Sequence, residues 1–439
     1  MRALAALAFT LFLAHAPDAL AAAGGGSGGF GGGGGGGGGG GYGGGSGGGG
    51  QTTSTGGFII VLIVVGAIAF FALAGVLAER RRRRRRNERD KRVRAAAVEA
   101  AQDDQAFAPE RVAAEAEQLF RTVQEAWTAR DTATLASLCG PDLMVEWQRR
   151  LDDFASRGWH NTVSVDGEPH VYYVGLVNRE GDADDRVCVL VEATLTDVVV
   201  DSNGNRITRK DSESATTQLK EYWTLSKRDG RWTLHSIEQL AEGEHNIDSP
   251  IVASPWADER VRDTAVLESA AEDAAGTPAE VAALADLDYA GDGRKAALDL
   301  SLVDGRFGPD VLETCAKRAV EAWAEAIDGE DAALLAVASP AAVAELLYPR
   351  GGTTLRRVVR GPRVEKMTLV RLNAEATPPA MEVELALSGR RYVEDRDTTD
   401  VVEGSRERAA RWTERWTFAL GTGDIPWTIA ASAAVSAPR

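Results

Sequence analysis

Apolar residues recur along this chain with two different periods. Over residues 111–128, Val112, Leu119, Val123 and Trp127 lie near one stripe, with Glu115 and Arg121 off it. That is the 3.6-residue period of an amphipathic helix. Leu143, Trp147, Leu151 and Phe154 trace a second helical stripe. The pattern then turns to strands at 171–177, 186–196, 216–226 and 231–237, with Asp201-Ser202-Asn203-Gly204 and Arg228-Asp229-Gly230 as turns. Helices first and strands afterwards predict an α+β fold: a curved antiparallel sheet covered on one face by helices. Strand patterns at 364–372, 381–388, 411–420 and 427–431 repeat the plan.

The first hundred residues follow neither period. Arg2 precedes an apolar run over 3–14, and Ala19-Leu20-Ala21 suits a signal peptidase, so residues 1–21 read as a signal peptide. Residues 22–57 are dominated by glycine, which offers no side chain to bury and loses the most backbone entropy on ordering, so this segment is expected to be disordered. Residues 58–77 carry no charge; as a helix they span roughly 30 Å, the hydrocarbon thickness of a bilayer. A transmembrane helix is therefore expected over 58–78. Arginine then runs unbroken from Arg80 through Arg86, which the positive-inside rule places in the cytoplasm. The same run suits anionic membrane lipid, at about 1 kcal/mol per basic residue. Residues 79–106 read as a basic, then helical, connector.

The remainder repeats itself. Phe107-Ala108-Pro109-Glu110 returns as Phe307-Gly308-Pro309-Asp310, and Glu125-Ala126-Trp127 as Glu321-Ala322-Trp323. Glu221-Tyr222-Trp223-Thr224-Leu225 corresponds to Glu414-Arg415-Trp416-Thr417-Phe418, and Trp232-Thr233-Leu234 to Trp427-Thr428-Ile429. The first tryptophan precedes the second by 96 residues in one copy and 93 in the other. Conserved order and spacing of this kind point to an internal duplication. The copies are expected over 107–240 and 307–439, joined by 241–306, a linker with an ambiguous helical region.

Glycine-rich stretch, apolar helix, basic segment, an Ala-Trp helix and an ending of the form E-x-W-T-L…W-T-L-x-x-I together resemble the bacterial Tim44-like domain proteins. The residues that carry the likeness are Gln124, Ala126, Trp127, Asp131, Leu135, Glu221, Trp223, Trp232 and Ile237. The second copy keeps Ala322, Trp323, Trp416 and Trp427 but has Arg415 where the first has Tyr222. The resemblance implies tandem cystatin-like or NTF2-like cones. It also implies a peripheral or anchored role at a membrane; with the expected span and the arginine run, the expected location is the bacterial inner membrane, single-pass with both domains cytoplasmic.

Charge and reactive residues narrow the function. The net charge is −16 despite the basic cluster, so the domains are not expected to bind nucleic acid specifically. Cys139, Cys188 and Cys315 show no CxxC spacing, and His15, His160, His170, His235 and His245 show no HxH or HExxH spacing; neither a metal nor a cofactor is expected. Asp152, Asp153, His170, Tyr172, Tyr173 and Glu221 are the types an acid–base enzyme of NTF2-like kind would use. No nucleophile elbow or cofactor fingerprint accompanies them, so no catalytic residue is assigned. The six repeated tryptophans are expected to pack between helix and sheet. The resulting expectation is a membrane-anchored, non-enzymatic adaptor that binds a cytoplasmic or membrane-machinery protein. Its alternative is a lipid or small hydrophobic ligand held in the cones.

Overall fold

A proline at the first helical turn, where its missing N–H costs nothing, starts the principal helix of each half. These are α2 (Pro109–Ala129) and its later counterpart Pro309–Glu325. In the computed structural model, residues 23, 25, 27, 30, 54–209, 213–272, 293–326 and 331–434 are described. A long helix, α1 (Ser54–Asp103), precedes the first unit. After α2 come α3 (Thr132–Leu138), α4 (Pro141–Ser156) and strands β1 (His160–Val177), β2 (Arg186–Val200), β3 (Arg206–Ile207), β4 (Thr216–Arg228) and β5 (Arg231–Gln239). Helices α5 (Glu259–Glu272) and α6 (Gly293–Ser301) lead into the second unit, where α7 is Pro309–Glu325, α8 Ala332–Leu335 and α9 Pro340–Leu347. Its strands are β6 (Leu355–Asn373), β7 (Ala380–Asp395), β8 (Val401–Gly404), β9 (Ala410–Leu420) and β10 (Trp427–Ala434).

Both sheets are antiparallel and share one plan. The first runs β1-β2-β4-β5 with β3 beside β2; the second runs β6-β7-β9-β10 with β8 beside β7. Trp223 faces Val189 across β4 and β2, and Trp416 faces Val383 across β9 and β7. The last tryptophan of each unit ties the sheet to the entry of the main helix: Trp232 Nε1 donates to the Ala106 carbonyl at 2.8 Å and Trp427 Nε1 to that of Arg306 at 2.7 Å. Phe107 and Phe307 meet these indoles edge-on at 5.3 and 5.4 Å. All six repeated tryptophans are buried, each removing 150–250 Å² from water.

The expected cone-like curvature is corrected: each sheet is an open path with two ends rather than a curved or closed wall. The β1 edge is covered instead by α1. Tyr173 N donates to Asp90 Oδ1 at 2.7 Å, and Arg89 Nε donates to the Val174 carbonyl at 2.6 Å. These bonds occupy backbone groups that a bare edge would offer to another chain. Farther along α1, Val93, Ala97 and Ala100 are buried in the first unit's core, so a segment expected as connector helps to build the domain.

The transmembrane expectation is corrected too. Among the described residues no helix is long and apolar enough to cross a membrane. The side chains of residues 54–69, 71 and 72 lie outside the described part, as do the expected signal peptide at 1–21 and most of the glycine-rich stretch at 22–57. With the anchor goes the reading of an inner-membrane, single-pass adaptor.

Two further segments differ from expectation. Ala23, Ser27 and Phe30, inside the stretch expected to be disordered, are buried against the first unit. β6 begins at Leu355, nine residues before the strand read at 364–372. Arg356, Arg357 and Arg360 hide its period, because Arg356 and Arg360 are buried against acidic groups of the first unit.

Candidate functional site at the junction of the two units

The two units meet through opposite charges contributed by separate halves of the chain. The first supplies Glu146 from α4, Glu238 from β5, and Glu242, Glu244, His245 and Asp248 from the 3₁₀ turn after β5. The second supplies Arg356, Arg360 and Arg363 from β6, Arg390 from β7, and Arg396 and Arg406 from the loops beyond.

Glu146 is the centre of the most buried group. Arg396 Nε donates to its two oxygens at 2.9 and 3.1 Å, and Arg356 Nη1 donates to Oε1 at 3.2 Å. Their side chains are 3 %, 6 % and 1 % exposed. Arg356 also donates to Asp331 Oδ1 at 2.6 Å, linking the cluster back to the second unit. Burial pushes the Glu146 carboxyl up, but hydrogen bonds from Arg396 and the charges of Arg150, Arg396 and Arg356 outweigh it and hold the group below the ordinary carboxylate range. Its charge is thus compensated, which a buried carboxylate requires.

A second cluster follows along the seam. Glu238 accepts from Asn246 Nδ2 at 2.7 Å, lies 2.8 Å from His245 Nε2, and faces Arg360 Nε at 3.6 Å. Burial again opposes ionisation, yet His245, Arg360 and Asn246 together bring its pKa down to about 2. Tyr392 donates its hydroxyl to Glu242. Gly361 lets β6 approach this turn: its φ is +52°, and a Cβ there would sit 2.4 Å from His245 Cγ.

Where α1 crosses the seam, a cleft of about 240 Å³ opens, lined by Arg82, Arg85, Arg86, His245, Arg363 and Arg390 among others. Arg85 pairs with Asp248 at 2.9 Å and Arg363 reaches the same carboxylate at 3.7 Å. Arg82 and Arg390 share Glu244 at 3.6 and 3.4 Å. Two carboxylates therefore answer four guanidinium groups, and the cleft keeps a positive excess that favours an anion.

The residues considered for proton transfer are not assembled. Tyr173 faces the helix-covered side of the sheet, while Tyr172 faces the opposite side, its ring 4.3 Å from that of His170. Asp152 accepts from Gln148 Nε2 at 2.8 Å, Asp153 pairs with Arg157 at 2.9 Å, and Glu221 accepts from Trp223 Nε1 at 3.0 Å. His235 is pushed down to about 4 by burial and the Arg186 charge, and His160 is lowered by burial and Arg130. The three cysteines are unpaired and buried, and burial raises Cys139 to about 12 and Cys315 to about 11. Among the described residues one acidic trio, Asp104, Asp182 and Asp185, has the spacing of a metal site. Lys227 Nζ sits among these carboxylates, 2.5 Å from Asp182 and 3.3 Å from Asp185, and supplies the positive charge itself.

With this geometry in place, comparison with known proteins assigns part of the chain. The family model described as Tim44-like domain matches residues 93–239. This stretch is a Tim44-like domain. The match begins at Val93, where α1 enters the core of the Tim44-like domain. Among solved structures, the intermembrane space region of the chloroplast protein ARC6 aligns at 12 % identity over 29 % of this chain and 95 % of that one, with a TM-score of 0.23. An Ntf2-like protein involved in plasmid conjugation aligns at 8 % identity over 74 % of this chain and 96 % of that one, with a TM-score of 0.21. No curated protein matches the chain.

The junction was missed from sequence, although a trace of it is visible there. Acidic residues lie at the end of the last strand of the Tim44-like domain and just after it, at 238, 242, 244 and 248, and arginines crowd 356–363 and 390–396. This opposition of charge between the halves was the available signal.

Proposed function

We propose that the chain is a non-catalytic docking scaffold for a protein partner, built from a Tim44-like domain and a second, diverged copy of it. The copy reading rests on the shared strand order and on the matched indole-to-carbonyl bonds of Trp232 and Trp427. The docking reading is carried by Trp256. This residue lies on the 3₁₀ turn Pro255–Ala257 between the units and is 91 % exposed. An indole left in water has no packing role, whereas tryptophan is enriched among the residues that dominate protein interfaces. Beside it, a cleft of about 690 Å³ includes Pro255 and Asp258 together with Arg179, Glu321 and Val337. The cleft takes its walls from both units, so joining them creates a surface that neither has alone.

A photo-crosslinking residue at position 256 of the full chain tests this reading in cells. One defined protein should be trapped there and not from an exposed control position such as Gln218, and Trp256→Ala should weaken its binding to the purified chain by more than tenfold with an unchanged Tm. Equal trapping at both positions, or unchanged affinity, overturns it.

A second reading, an anionic lipid headgroup at Arg80–Arg86, is favoured by the positive excess of the seam cleft. Sedimentation with vesicles containing phosphatidylserine, but not with phosphatidylcholine alone, is its expected outcome. Equal sedimentation with both would reject it.

A further inference from the structure

A short piece of the glycine-rich stretch is seated on the Tim44-like domain, and its contacts are specific. Ala23 N donates to Gln124 Oε1 at 3.0 Å, and the Ser27 hydroxyl donates to Asp153. Phe30 forms an isolated antiparallel bridge with Arg209, whose guanidinium lies 5.5 Å from the centre of the phenyl ring. Ala23, Ser27 and Phe30 are 2 %, 1 % and 4 % exposed, and the two apolar residues join the domain's own core.

The receiving groups are held from behind. Arg209 is ion-paired to Asp197 and donates to Thr217 Oγ1 at 2.7 Å, while Asp197 accepts from Asn161 Nδ2 at 2.6 Å. Asn161 in turn accepts from Trp127 Nε1 at 2.8 Å. A chain of buried bonds thus runs from the tryptophan of α2 to the guanidinium under Phe30, fixing that cation without help from the seated segment. Gln124 is itself 1 % exposed. At its Ala23 end the seat opens onto a cavity of about 70 Å³ with walls from both units, Leu143 and Glu221 on one side and Arg360, Tyr392 and Arg406 on the other. A groove whose polar groups are preset in this way has the character of a binding site.

We propose that this groove, between α2, α4 and the β2–β4 end of the sheet, is a peptide-binding site of the Tim44-like domain and that Ala23, Ser27 and Phe30 occupy it in cis. The ligand it selects is a short segment of small residues that turns at its serine. A backbone N–H meets Gln124, a hydroxyl four positions later meets Asp153, and an aromatic ring three positions after that lies over Arg209. The cis occupant closes the site to other peptides until it is displaced. An intramolecular occupant acts at an effective concentration on the order of 1 mM, and weakens a free peptide of intrinsic Kd ~0.1 mM about tenfold.

The test uses the full chain and a fluorescent peptide of residues 22–32, AAGGGSGGFGG. Fluorescence anisotropy should give weak binding to the unaltered chain and roughly tenfold tighter binding to Phe30→Ala, whose own segment has lost its ring. A peptide carrying alanine in place of phenylalanine should bind neither, and adding Asp153→Ala to Phe30→Ala should reverse most of the gain. Equal affinity for the unaltered chain and Phe30→Ala, or no binding to either, overturns the proposal. Hydrogen exchange on the unaltered chain gives an independent reading that needs no variant to fold. The Phe30 amide, bonded to the Ser27 carbonyl at 2.9 Å, should exchange at least a hundredfold more slowly than an unstructured amide, and exchange at the unstructured rate overturns the seating itself.

Discussion

Replacing Glu146 with alanine removes the carboxylate on which the deepest part of the junction converges. Arg396 then keeps its bond to the Thr353 carbonyl at 3.1 Å and its place over the Tyr348 ring, while Arg356 keeps Asp331 and the Ala326 carbonyl. At least one buried guanidinium is left without a counter-charge, and breaking a buried pair in this way costs about 3–5 kcal/mol. The loss falls on contacts between the units, so thermal unfolding should both shift and broaden. At ~2 °C per kcal/mol for a body of this size, the first transition should drop by about 6–10 °C. Calorimetry should resolve a separate transition for each unit. The matched control is Glu384→Ala, which breaks a pair with Arg415 whose side chains are 38 % and 44 % exposed; that change should cost no more than ~1 kcal/mol. Replacing Glu146, Arg356 and Arg396 together by leucine should recover most of the loss, because well-packed apolar side chains can substitute for a buried ionic group. A Glu146→Ala protein that melts in one transition, within the ~1 kcal/mol range of the surface control, would refute the reasoning.

Three other outcomes follow from the same seam and its surroundings. Glu238 has its pKa lowered from 4.5 to about 2, so its stabilising contribution is complete above pH 4.5 and is lost as pH falls toward 2; Glu238→Gln should flatten the acid limb of a Tm-versus-pH curve in that window. Gly361→Ala should destabilise by about 1–3 kcal/mol in urea titrations, since the left-handed φ and the 2.4 Å approach to His245 both oppose a side chain. Lys227→Met should leave Asp104, Asp182 and Asp185 facing one another without a cation; Tm should fall by several degrees at pH 7 and partly recover near pH 5, because burial already raises Asp185 and eases its protonation.

The helix–strand order of both units was legible because it is written locally. Val112, Leu119, Val123 and Trp127 form a stripe whatever lies beyond them, and all four are buried in α2. The repeat of Trp127, Trp223 and Trp232 as Trp323, Trp416 and Trp427 was legible for the same reason: each indole needs the same wall of helix and sheet. β6 was half missed because its buried positions hold arginines, and a buried arginine is recognisable only beside its carboxylate. The apolar run at 58–77 was overread. Length and hydropathy alone suggested a span, whereas the described part of α1 carries Arg86 and Arg89 buried against the first unit, with Arg89 donating to the Val174 and Ser249 carbonyls. The burial of Ala23, Ser27 and Phe30 depends on Gln124, Asp153 and Arg209, far along the chain, so no local pattern announces it.

Sequence alone determined what neighbours within a turn or a strand pair decide: the α+β character of each unit, the duplicated tryptophans, and the residues that match a Tim44-like domain. Only the tertiary structure decided what the units do to one another. Glu146 meets Arg356 and Arg396 across 210 and 250 residues of chain, and Phe30 finds Arg209 with no periodic signal to announce it. Hydrophobic period reports which face of an element leaves water, because burial of apolar area needs no particular partner. An ion pair or a seated ring is favourable only at a specific distance and in a desolvated place, and that condition exists only once the chain has folded.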